Sequence, residues 1–179
     1  FLHFVNDGGR SIELAAWSRR TLETYCHATH DRHYPIEQAG IWADALRTAA
    51  PVVVNDYPTH PGRRGLPEGH AALRAFVSVP VLEGANVVML AGVGNKELAY
   101  TPQDVLTVQL VANLAWRIIR QRRSLAEARE ATANLDAVIR AAPVGIVTLG
   151  EGLRILSANA AAAAILGGTA EELGALDLR

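Results

Sequence analysis

The densest group of side chains able to do chemistry is Cys26-His27-Ala28-Thr29-His30-Asp31-Arg32-His33. Thiolate, imidazole and carboxylate at such short spacing are donors that zinc or haem iron accepts. A closed structural zinc site needs a second ligand pair, and none stands at an ordinary spacing elsewhere in the chain. The segment therefore reads as a polar, solvent-edge stretch, with Cys/His metal or redox sensing as the alternative. Cys26 is the one cysteine of 179 residues. An internal disulfide, or a thiol relay that needs a resolving cysteine, is thereby excluded, and a reducing, cytoplasmic compartment is expected. Arg117, Arg120, Arg122 and Arg123 form a basic run that could meet phosphates. They are spread around the faces of a helical stretch, and 17 basic residues balance 18 acidic ones for a net charge of -1. A solvated surface is the expectation, with no nucleic acid and no membrane contact in this segment.

The elements that must position these groups follow from patterning. Half of the residues are apolar, enough for a core. No apolar stretch approaches the roughly 20 residues of a bilayer span, and no signal peptide is visible. Phe1 falls inside a strand pattern and Arg179 inside a polar, helix-like stretch, so both ends are expected to be cut from a longer polypeptide. Residues 1–5 and 11–17 are apolar-rich runs joined by Asn6-Asp7-Gly8-Gly9, which predicts a β-hairpin. Residues 19–38 lose any clear period and are read as a helical or irregular excursion over one sheet face. Ile41, Trp42, Ala45, Leu46 and Ala49 recur at helical spacing until Pro51. Residues 51–57 read as a short buried strand, and 58–69, rich in proline and glycine, as a long exposed loop. Residues 75–82 and 86–93 form a second hairpin.

Thr101-Pro102-Gln103-Asp104 carries the marks of a helix start: a capping threonine, proline in the first turn and an acid near the positive end. No glycine or proline interrupts from there to Pro143, about 40 residues or roughly 60 Å of helix. With Val111 at heptad position a, the a and d positions hold Val111, Leu114, Ile118, Gln121, Leu125, Ala128, Thr132, Leu135, Ile139 and Ala142, and eight of the ten are apolar. So narrow a stripe calls for a partner helix, and a dimeric coiled coil is expected. The competing reading folds the helix back on its own domain. After Pro143, residues 145–149 and 153–157 are two short strands, and Asn159 opens an alanine-rich helix. The fold class is α+β, an α/β sandwich.

Tyr34-Pro-Ile-Glu-Gln-Ala-Gly-Ile-Trp-Ala-Asp-Ala-Leu-Arg47, Pro51-Val-Val-Val-Asn-Asp-Tyr57 and Leu66-Pro-Glu-Gly-His70 resemble blocks of a GAF domain. They are similar to the subgroup found in bacterial sensor kinases, and the hairpin Phe76-Val-Ser-Val-Pro80 through Gly92-Val-Gly-Asn-Lys96 fits the same pattern. The tail Ala141-Ala-Pro-Val-Gly-Ile146, Ile155-Leu-Ser-Ala-Asn159 and Thr169 to Leu173 resembles the start of a PAS domain. The resemblance implies a GAF-like antiparallel sheet flanked by helices over 1–103, with the family's first helix preceding Phe1. A signalling coiled-coil helix would span 104–142, and the β-β-α opening of a PAS-like domain 143–179.

In that fold a ligand would lie between the sheet and its crossing segments. Trp42, Asn55, Asp56 and Tyr57 would converge there with Arg64 and His70 of the long loop, the aromatic ring for stacking and the polar groups for hydrogen bonds. Asn95-Lys96, Tyr100 and Asp104 resemble part of the Asn-Lys-Phe-Asp-Glu signature of cyclic-nucleotide-binding GAF domains. Their reading here is structural: a Lys96–Asp104 ion pair tying the last strand to the long helix. Bilin attachment at Cys26 does not match, since the attaching cysteine of that group comes later in the fold. The resemblance implies a non-enzymatic sensory module of a multidomain signal-transduction protein, of the sensor histidine kinase type, upstream of a histidine kinase, diguanylate cyclase or transcriptional activator output. It would be a homodimer through 104–142, with a small-molecule ligand of unidentified class and no named cofactor. A ligand-free dimerisation module is the rival.

Overall fold

The computed structural model describes residues 1–16, 18–19, 33–63 and 72–168. The chain divides into two compact units, Phe1–Ile119 and Arg120–Arg179. In the first, β1 (Leu2–Asn6), β2 (Ser11–Ala16), β3 (His33–Pro35), β4 (Val52–Val54), β5 (Phe76–Glu83) and β6 (Asn86–Gly94) form one antiparallel sheet in the order β3-β2-β1-β6-β5-β4. Asp7, Gly8 and Gly9, all at positive φ, turn β1 into β2. This is the conformation for which Asp-Gly-Gly is suited. The α+β class and both hairpins stand as expected.

Two local readings change. The described end of the 19–38 excursion is a strand: β3 pairs with β2 at the sheet edge, Ile12 opposite Tyr34. A three-residue edge strand leaves little periodicity to read. Residues 51–57 are not a buried strand either. β4 is the opposite edge, pairing Val52–Val54 with β5, and only Val54 is buried while Val53 stays exposed. Three consecutive valines look like a central strand although one face meets water.

The two faces of the sheet carry separate cores. On the near face Val77, Val79, Val81, Met89 and Ala91 pack with Tyr100 and Ala112, and Phe4, Val105, Val108, Trp116 and Ile119 lean on them. Each of the fully buried valines and Met89 among them contributes about 1.5–3 kcal/mol. Most of these contacts come from the start of α2 (Pro102–Ala141). Trp116 meets Phe4 edge to face at 6.1 Å and donates from Nε1 to Glu83 Oε1 at 2.9 Å. Gln109 donates to the Pro80 carbonyl at 2.7 Å, tying the helix to β5. On the far face a 3-10 turn (Ile41–Ala43) and α1 (Asp44–Thr48) cover Val54, Tyr57 and Phe76 in one cluster and Ile12 and Ala39 in another.

The start of α2 is tied from three sides. Asp104 Oδ2 accepts from the Thr101 amide and hydroxyl, both at 2.8 Å, and from Lys96 Nζ at 2.6 Å. These bonds, Lys96 first and Thr101 next, hold the Asp104 carboxyl down to about 2. The ion pair expected between Lys96 and Asp104 is present.

In the second unit, residues 120–141 of α2 are followed by the antiparallel pair β7 (Val147–Leu149) and β8 (Ile155–Ala158) and by α3 (Ala160–Leu166). Asn159, almost fully buried, joins them. Its Oδ1 accepts from the Ile146 and Ala162 amides, both at 2.9 Å, which caps α3. Its Nδ2 donates to Ile139 and Val144 carbonyls, both at 2.9 Å.

Candidate functional site

The far face of the sheet is the candidate, built by strand alternation. Because Val77, Val79 and Val81 face α2, Phe76, Ser78 and Pro80 must point the other way. Register then sets Gly92 opposite Ser78, and Leu90 opposite both Pro80 and His3. Over this floor stands Trp42. Its ring stacks on His3 at 4.6 Å, with planes 28° apart, and Phe1 meets both rings edge-on at 5.1 Å. Gly92 makes room for this group: a Cβ there would lie 2.4 Å from the Phe1 ring and 2.8 Å from the Val77 carbonyl oxygen. A strand glycine is what such a close approach requires.

Two polar groups sit within the apolar surroundings. His3 is buried, and burial, the chief cause, pushes its pKa down to about 3. It is therefore a neutral imidazole at physiological pH. Ser78 is fully buried, and its hydroxyl has no hydrogen-bond partner among the described residues. An apolar wall with a few inward polar atoms is the composition of a small-molecule site.

The residues singled out from the sequence part company here. Trp42 and Tyr57 both belong to the far-face packing around Ile41, Val54 and Phe76. Asn55 turns instead to the long helix: Nδ2 donates to the Tyr100 carbonyl at 3.1 Å, and Oδ1 accepts from the Tyr100 amide at 2.6 Å. Asp56 is exposed and accepts from the Thr59 amide at 3.4 Å. Arg64 and His70 lie outside the described residues, as do Cys26, His27, His30 and Asp31 of the Cys/His cluster. Among the described residues no group of three or more His, Cys, Asp or Glu is placed to hold a metal. Sequence reasoning missed His3 and Ser78. Strand alternation from Phe76 would have placed Ser78 inward, whereas a lone histidine in a Leu-His-Phe run carries no such marker.

The second functional surface is α2 itself. At about 100° per residue, Val105, Val108, Ala112, Trp116 and Ile119 share one side, against the sheet. Leu110, Val111, Leu114 and Ile118 lie on the opposite side, and all four are exposed. Leu125 and Leu135 extend the exposed series, and every residue over 121–138 is exposed. No described helix is long and apolar enough to cross a membrane.

Known proteins give this architecture a family. The solved GAF domain of a phosphoenolpyruvate-protein phosphotransferase from Coxiella burnetii superposes with a TM-score of 0.52 at 18% identity, over 70% of this chain and 73% of that one. A free methionine-R-sulfoxide reductase from Neisseria meningitidis superposes at 0.50 and 17% identity, over 68% of each chain. At those identities the likeness is one of fold. A protein of Methanosarcina acetivorans described as a methyl sulfide methyltransferase-associated sensor is 33% identical over 129 residues. That match takes in 72% of this chain and only 13% of the sensor, so the chain spans a small part of that relative's length. The PAS domain model matches residues 133–179 and the GAF domain model residues 1–120. The chain therefore belongs to the GAF domain family, with a PAS segment following, and is a sensory signalling module.

Proposed function

We propose that this chain is the input region of a multidomain cytoplasmic signal-transduction protein of the sensor histidine kinase type. The far face of its GAF sheet binds a small molecule, and a homodimer formed along α2 relays the change to the PAS segment. The observation that carries this reading is the pair of opposed apolar sides on α2. One side is spent on the chain's own sheet, and the other carries Leu110, Val111, Leu114, Ile118, Leu125 and Leu135, all exposed. Most helical stability in proteins comes from packing an apolar face, and pairing this stripe with that of a second copy would supply it. The polar Gln121 and Thr132 at core heptad positions weaken the seam locally, which favours a pair able to shift between registers.

On the ligand side, Trp42 supplies a stacking surface and the Ser78 hydroxyl an inward polar anchor. The sensor that is 33% identical supports a sensing role for the chain. No catalysis is assigned. The likeness to a sulfoxide reductase is one of fold, and a thiol relay needs a second cysteine where this chain has Cys26 alone.

The test is Leu125→Asp combined with Leu135→Asp. Both side chains are at least half exposed and belong to no core cluster, so the fold should survive. Light scattering should report a dimer for the parent and a monomer for the variant; an unchanged dimer would sink the relay. A second reading, a ligand-free dimerisation module, is favoured by the Phe1–His3–Trp42 ring group, which fills part of the far face with side chains. Native mass spectrometry of protein purified from cells separates the two. A retained small molecule, lost on Trp42→Ala, supports sensing; a bare mass at full dimer content supports the rival.

A further inference from the structure

The two cores lie on opposite faces of the sheet, and one short segment reaches both. Residues 54–57 leave the β4 edge with Val54 and Tyr57 turned into the far-face cluster beside Ile41 and Phe76. Between them, Asn55 closes a reciprocal pair of hydrogen bonds with the backbone of Tyr100, 45 residues away in sequence. Tyr100 is itself buried in the near-face core with Ala112 of α2. The next residue, Thr101, caps α2 and shares Asp104 with Lys96. One side chain therefore links the strand that lines the far face to the first turn of the long helix, around the sheet edge rather than through it.

We propose that the Asn55–Tyr100 bracket is the coupling point through which a change on the far face is delivered to the start of α2. The proposal rests on the sensory reading above and names its regulation. Asn55 acts as a positioning residue: it fixes where Tyr100 sits, and Tyr100 fixes the first turn. Central strands are paired on both sides, whereas β4 is an edge of three residues paired on one side only. Coupling of this kind requires that both ends bias the same element, and here both bear on residues 54–57.

A double-mutant cycle read by amide hydrogen exchange tests it. Ile41→Val removes one methyl from the cluster that touches residues 54–57. Ile12→Val removes one from the separate far-face cluster with Ala39 and Ala43. Ile41→Val should speed exchange of the first-turn amides from Val105 to Val108 by about fivefold, while Ile12→Val leaves them within about twofold of the parent. In an Asn55→Ala background the two methyl deletions should become indistinguishable at those amides. Equal effects in the parent background, or an Ile41→Val effect that persists without Asn55, would overturn the proposal. Asn55→Asp keeps the acceptor for the Tyr100 amide and loses the donor to its carbonyl. It serves as the second variant if the alanine chain folds poorly, and should weaken the Ile41→Val effect. Run in the Leu125→Asp/Leu135→Asp chain, the cycle does not depend on dimerisation. A bracket that works in a chain whose dimer was never there would overturn the relay alone.

Discussion

His3 shows how burial alone sets a chemical state. The unfolded chain's imidazole titrates near 6.5, while in the fold its pKa is pushed down to about 3, chiefly by burial. Between these values the unfolded chain holds a proton that the folded one refuses. Stability is thus fully present above pH 6.5 and falls as the pH drops towards 3, by about 1.4 kcal/mol per unit. Urea midpoints should follow this slope between about pH 6 and pH 4, and His3→Phe should flatten it there. A slope unchanged by the substitution would assign the loss to another group. Asp104 contributes in a different window, because its carboxyl is depressed from 3.8 to about 2 and its share is lost only as the pH falls between those values. At this scale the sequence was partly legible. Trp42 and Tyr57 could be placed among apolar neighbours by type. Asn55 could not be oriented, because one step along a strand reverses the side a residue faces, and polarity does not say whether its partner is a ligand or a distant backbone.

At the scale of elements, α2 was the most legible feature and also the one that hid most. An unbroken stretch without glycine or proline, opened by Thr101, gives a helix over residues 102–141 almost to the residue. The heptad positions name residues that the lone chain leaves exposed, among them Val111, Leu114, Ile118, Leu125 and Leu135. They say nothing of the inner side formed by Val105, Val108, Ala112, Trp116 and Ile119, because a second apolar face blurs any single period. The strands at the sheet edges were the least legible, since three residues cannot establish alternation. In the second unit the deciding residue is Asn159, whose one amide group serves the end of α2, the entry to β7 and the cap of α3. Asn159→Ala removes all of these bonds and strands buried polar groups. It should destabilise the β7-β8-α3 unit by about 2–4 kcal/mol, from a lost cap of about 1 and further orphaned partners. Asn159→Asp keeps the acceptor and should cost less. Exchange of the Ile146 and Ala162 amides measures both; protection that survives in the alanine variant would show that the asparagine is dispensable.

For the molecule as a whole, the question is what stabilises a helix that its own chain leaves exposed over residues 121–138. None of those positions is buried, and charge pairs along a helix contribute only tenths of a kcal/mol each. If a second copy covers the stripe, folding and association are linked, and stability must depend on concentration. A tenfold rise in protein concentration then adds about 1.4 kcal/mol per dimer, and because two chains unfold together this is a shift of about 1–3 °C in Tm. Thermal unfolding followed by circular dichroism from about 1 to about 100 µM should show that slope in the parent. The Leu125→Asp/Leu135→Asp chain should melt at one temperature throughout. The helical signal of the parent should also exceed that of the variant at every concentration, because residues 121–138 lose the partner that orders them. A parent Tm independent of concentration, with the helical signal intact, would mean that α2 stands without a second copy, and the stripe would need another occupant.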